Sequence, residues 1–98
     1  MLNTPFQTLL AALRDCGQLT DVELAMITAR DWTFEHVPPI LCDEDARKYR
    51  MAALALHARA GVVNGSPEWL TWFKSPQGAL HACLTARLIQ WDEKWRDA

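Results

Sequence analysis

Histidine, cysteine and clustered acids are the side chains that most readily do chemistry in a small protein, and this sequence spaces them poorly for it. The histidines are His36, His57 and His81, with no His-x-x-x-His or His-Glu-x-x-His pair among them. His81 and Cys83 stand two apart, which on a helix turns them to different faces. The cysteines Cys16, Cys42 and Cys83 are scattered and form no Cys-x-x-Cys pair, so neither a metal site nor a disulfide framework follows. Cys83 has no charged base next to it and reads as a small core residue rather than a nucleophile. Asp43, Glu44 and Asp45 have the composition of an acid–base group, but three acids at a helix start are explained by its positive end. The four glycines form no phosphate-cradling loop. The expectation is no catalytic residue, no cofactor and no metal, hence no enzyme.

Tryptophan is the outlier. There are five in 98 residues, four of them between positions 69 and 95. Trp69 and Trp72 are i,i+3 neighbours on a short helix and Phe73 extends their face. Trp91 and Trp95 are one turn apart near the chain end, with Arg87 and Arg96 in reach as a polar rim. Large rings opposite small alanines fill a core. Exposed rings rimmed by arginine have the composition of a protein-interface centre. Trp69, Trp72, Phe73, Arg87, Trp91, Trp95 and Arg96 are therefore the candidate protein-binding residues.

The elements that must position these side chains are helices with readable caps. Thr4-Pro5 starts one that Gly17 stops, with Phe6, Leu9, Leu10 and Leu13 at helical spacing. Thr20-Asp21-Val22-Glu23 is a capping box, with Leu19 and Leu24 placed as its hydrophobic staple; this helix should run to about Arg30 or Trp32. Pro38-Pro39 makes Thr33 to Leu41 a connection with room for one short turn. A third helix starts at Asp43-Glu44-Asp45, with Asp43–Arg47 and Glu44–Lys48 pairs, and ends at Gly61. Tyr49, Ala52, Ala53 and Leu56, and then Met51 and Leu54, give it two apolar faces, which suits a central helix. Ser66-Pro67 and Ser75-Pro76 start a short helix to Lys74 and a long one reaching nearly to the C-terminus. Leu80, Leu84, Leu88, Trp91 and Trp95 form one stripe along the last.

These elements define an all-α fold, a small bundle of about five helices in a single domain, 1–98. The chain weighs 11.1 kDa and is 50% hydrophobic and 22% charged, a globular composition too short for separate cofactor and substrate domains. Ala and Leu number 27 against seven Val plus Ile, which excludes a β-sandwich. The net charge of −2 supplies no overall field for nucleic acid or membrane. Residues 1–45 carry eight acids and two bases, and residues 46–98 four acids and eight bases. Opposite halves of this kind can pair within one molecule, with a partner, or between copies as a homodimer. No leader-like start and no membrane-length apolar run is present, so a cytoplasmic protein is expected. A helix-turn-helix tested at Glu23-Leu24-Ala25 would have to pass its recognition helix through Pro38-Pro39 and put Glu35 at an apolar position. Nucleic acid is not an expected partner.

The stretch Leu41 to Leu80 resembles the toxin-binding domain of the MbcA/ParS/Xre antitoxin family. The likeness lies in the acidic cap Cys42-Asp43-Glu44-Asp45, the helix to Ala60, the Gly65-Ser66-Pro67-Glu68 turn and Trp72-Phe73-Lys74-Ser75-Pro76-Gln77-Gly78-Ala79-Leu80. It departs from the family at His81-Ala82, where Gly-Gly is usual, at Leu84-Thr85-Ala86, and in its ending from Trp91 to Ala98. The resemblance implies an antitoxin-like inhibitor of a toxin enzyme. The alternatives are a phage or mobile-element inhibitor, for example of a host defence complex such as CRISPR-Cas, and a small DNA-binding transcriptional regulator.

Overall fold

The computed structural model describes Phe6, Leu10, Ala11 and residues 20–96, the Arg96 side chain excepted. Among these residues the chain is all-α, with α1 (Asp21–Thr28), a 3-10 turn (Phe34–His36), α2 (Asp43–Ala60), α3 (Pro67–Phe73) and α4 (Pro76–Arg96), and no strand. Four helices thus stand where the sequence predicts about five. The remaining expectation, Thr4 to Gly17, lies outside the described residues apart from Phe6, Leu10 and Ala11, which are helical. The Leu19 half of the predicted staple lies outside them too. No helix among the described residues is long and apolar enough to cross a membrane.

The helix starts follow local chemistry. The Thr20 hydroxyl accepts from the Glu23 N–H at 3.2 Å, and the Glu23 carboxylate accepts from the Thr20 N–H at 2.9 Å, so two orphan donors of α1 are satisfied reciprocally. Ser66 accepts from the Trp69 N–H at 3.1 Å, with Pro67 in the first turn of α3. Ser75 accepts from the Gly78 N–H at 3.2 Å to start α4. Cys42 caps α2 without a side-chain bond, and Asp43, Glu44 and Asp45 occupy its first turn, where carboxylates oppose the positive helix end. Of the two predicted i,i+4 pairs, Glu44–Lys48 forms at 3.8 Å, whereas Asp43 and Arg47 are not joined. Gly61 ends α2 in the left-handed region at φ 66°, a conformation glycine adopts without steric cost.

One helix end departs from expectation. Helix α1 stops at Thr28 rather than continuing to Arg30 or Trp32. Trp32 is drawn into the core beside Phe6, at 6.1 Å between rings, and its indole N–H donates to the Ile27 carbonyl at 3.1 Å. A helical Trp32 would not reach back to that carbonyl, so the burial of one large ring unwinds the last turn.

The core is shared by Phe6, Ile27, Trp32, Val37, Tyr49, Leu56, Leu80, Leu84 and Trp91 with the small residues Ala46, Ala52 and Ala53. Helices α2 and α4 are its principal pair. His57 meets His81 at one end, at 5.9 Å between rings, while toward the other end Tyr49 and Arg87 both reach the connection, at Pro38 and Val37. The two helices therefore run antiparallel. Burial and the nearby Asp45 carboxylate push the Tyr49 hydroxyl far above its ordinary range, against the opposing pull of Arg87, so it remains a donor to the Pro38 carbonyl.

Candidate functional site

Helix α4 has two apolar faces, and this decides where the site lies. Leu80, Leu84 and Trp91 face the core. Ala82, Thr85, Ala86 and Ile89 lie on the other side and form one wall of a groove. Leu54 and His57 of α2 form the opposite wall, Asn64 closes the turn between α2 and α3, and Trp69 and Phe73 of α3 cover the end. The cavity measures about 490 Å³, within the roughly 300–1,000 Å³ typical of binding sites.

Aromatic contacts fix its closed end. Trp69 and Phe73 pack edge to face at 4.5 Å, and Phe73 reaches His81 at 5.9 Å. Trp72 lies behind them, 5.8 Å from His57 and 5.2 Å from His81, and packs partly against the core. The His57 Nε2–H donates to Asn64 Oδ1 at 2.8 Å. His81 Nδ1 and Trp69 Nε1 are enclosed without a hydrogen-bond partner among the described residues. Burial holds the His81 pKa below its ordinary 6.5, and the neighbouring His57 lowers it further. His81 is therefore neutral at pH 7, as an apolar groove floor requires.

A pH dependence follows from that floor. The unfolded chain protonates His81 near the ordinary 6.5, and the folded chain only at lower pH. The contribution of neutral His81 to stability is fully present above 6.5 and is lost as pH falls through the lowered folded value. Thermal melts from neutral to mildly acidic pH should show the melting temperature falling below pH 6.5. His81→Gln, which does not titrate, should flatten that slope, and an unchanged slope would place the acid sensitivity elsewhere.

The sequence-predicted residues divide between this groove and other parts of the fold. Trp69, Trp72 and Phe73 come together at its closed end. Arg87 donates through Nε to the Val37 carbonyl at 2.9 Å and through a terminal nitrogen to the Phe34 carbonyl at 3.3 Å, and its guanidinium lies 3.8 Å from the centre of the Phe34 ring. It thereby ties the connection after α1 to α4. Trp91 is 8% exposed and Trp95 58%, packed edge to face at 5.3 Å on the side of α4 away from the groove. Arg96 ends α4, and its side chain lies outside the described residues. Leu54, His57 and Ile89 are among the groove residues that the tryptophan pattern misses. The i,i+4,i+7 series Ala82, Ala86, Ile89, paired with the second apolar face at Met51 and Leu54, is the signal that points to them.

Among the described residues no three His, Cys, Asp or Glu side chains converge as a metal site would need. Burial pushes the Cys83 thiol up, opposed by Arg87, so Cys83 is a thiol at neutral pH and a poor nucleophile. No protein-family model, curated protein or solved structure matches this chain.

Proposed function

We propose that this chain is a small, non-catalytic, protein-binding regulator, and that its docking face is the groove between α2, α3 and α4. The observation that carries the reading is the 490 Å³ aromatic-walled cavity with large apolar side chains standing open at its mouth. Leu54 is 66% exposed and Ile89 52%. Exposed apolar surface grouped around a cavity marks an interaction site, whereas single exposed apolar residues do not. A helix with apolar anchors one turn apart is the kind of element that fills such a groove. Leu54, His57, Trp69 and Phe73 all fall within the stretch that resembles antitoxin toxin-binding domains, and this favours a toxin enzyme as the partner.

The test uses charges at the mouth. Leu54→Asp and Ile89→Asp should leave the fold intact, because both side chains are solvent-exposed, and should weaken partner binding by about 30-fold or more. Val22→Asp, on the exposed face of α1, serves as the control. In cross-linking and affinity capture from the native cells, a partner retained by wild type and Val22→Asp but lost from both groove variants supports the reading. The same proteins captured by all four chains would overturn it.

A further inference from the structure

We propose that in the free protein the groove is covered by a second copy of this chain, related by a two-fold axis running along the groove. The inference rests on the groove being a docking face, and it adds the occupant. A second depression of about 280 Å³, lined by Met51, Leu54, Ala55 and Ala58, lies on the other side of Leu54. Leu54 is thus a ridge between two hollows, and a soluble monomer rarely leaves such a surface uncovered.

The charges at the far end select the partner and its orientation. Arg47, Arg50, Leu54 and His57 follow one another at helical spacing on one face of α2. On α4, Asp92 and Glu93 stand three and four residues beyond Ile89. Arg47, Arg50, Asp92 and Glu93 are exposed, and none takes part in an ion pair among the described residues. At about 1.5 Å per residue, Arg47 lies about 15 Å from the His57–His81 end and Asp92 about 17 Å from it. One open edge of the face is therefore basic and the other acidic at nearly the same height.

A two-fold axis parallel to the helices keeps every residue at its height and lays α2 of one copy across α4 of the other. Arg47 and Arg50 then oppose the second copy's Asp92 and Glu93, twice over, as an isologous interface requires. Leu54 lands level with Ala82 and Ala86, whose small side chains leave room for it. An axis across the helices would instead stack α2 on α2 with heights reversed, so that Arg47 and Arg50 would face the His57 end of the second copy and leave its Asp92 and Glu93 unmatched. Complementary edges favour the first orientation and disfavour the second.

The test is charge reversal on one edge at a time, read by sedimentation equilibrium and native mass spectrometry. Wild type should dimerise at about 100 µM in low salt, and more weakly in high salt. Arg47→Glu with Arg50→Glu leaves both edges acidic, and Asp92→Lys with Glu93→Lys leaves both basic. Each double variant alone should self-associate about tenfold more weakly or worse. Mixed, the two should form heterodimers, and the fourfold variant should recover the homodimer. Acids near the start of α2 and lysines near the end of α4 suit the helix dipoles, so folding should survive. A wild-type monomer at this concentration overturns the proposal, as does a dimer indifferent to the reversals. The reversals leave Leu54, Trp69, Phe73 and Ile89 in place, so capture of a different protein by the groove would persist even where self-association fails.

Discussion

Gly78→Ala is expected to cost about 3 kcal/mol of stability and to lower the melting temperature by about 15 °C. On propensity alone the change should help, since alanine is favoured over glycine in a helix by about 1 kcal/mol. The tertiary structure reverses the sign. Gly78 is buried where the start of α4 passes beneath the end of α3. A Cβ there would lie 2.6 Å from Phe73 Cα and 2.7 Å from the Trp72 carbonyl carbon, and closer still to the Trp72 oxygen. All three are backbone atoms, which cannot rotate away as a side chain can. Helix α3 would have to lift, loosening the Ser75 cap and pulling Trp72 and Phe73 from His81. Gly61 makes the contrast: its φ is +66° but nothing lies within 4 Å of a Cβ, so Gly61→Ala should cost only about 1 kcal/mol. Paired thermal melts decide the matter, and a melting temperature that rises in Gly78→Ala would show that α3 does not press on α4.

The contrast between Gly78 and the caps shows what was legible in the sequence. Thr20 with Glu23, Ser66 with Pro67, Ser75 with Pro76, and Gly61 act on backbone groups within a few residues, so reading them placed three helix starts and one end. The end of α1 was not legible, because it depends on Trp32 finding Phe6 across the core. The role of Arg87 was hidden for the same reason: the Phe34 and Val37 carbonyls that take up its guanidinium lie about fifty residues earlier. The groove was half legible. Trp69 and Phe73 stood out by residue type, and Met51 with Leu54 marked a second apolar face on α2. What local pattern could not show was the antiparallel pairing that sets Leu54 across from Ala82 and Ala86, since helix pairing is fixed by the packed core rather than by spacing within one helix.

The tryptophans at the chain end carry the last expectation, because similar side chains one turn apart should respond oppositely. Trp91 is in the core, and Trp91→Ala removes a large ring from a packed site, at an expected cost of about 3–5 kcal/mol. That is much of what a small domain has, which is about 5–15 kcal/mol. Trp95 is 58% exposed, and Trp95→Ala loses chiefly its edge-to-face contact with Trp91, worth about 1 kcal/mol. Lys94, 5.9 Å from the Trp91 ring, is left in place by either change. Urea titrations separate the two as different midpoints at equal slope; equal losses would mean that Trp95 is packed as deeply as Trp91. Binding adds a second axis. Trp95 lies on the side of α4 away from the groove, so Trp95→Ala should leave both partner capture and self-association unchanged. A folded Trp95→Ala protein that no longer captures its partner would move the docking face from the groove to the end of α4.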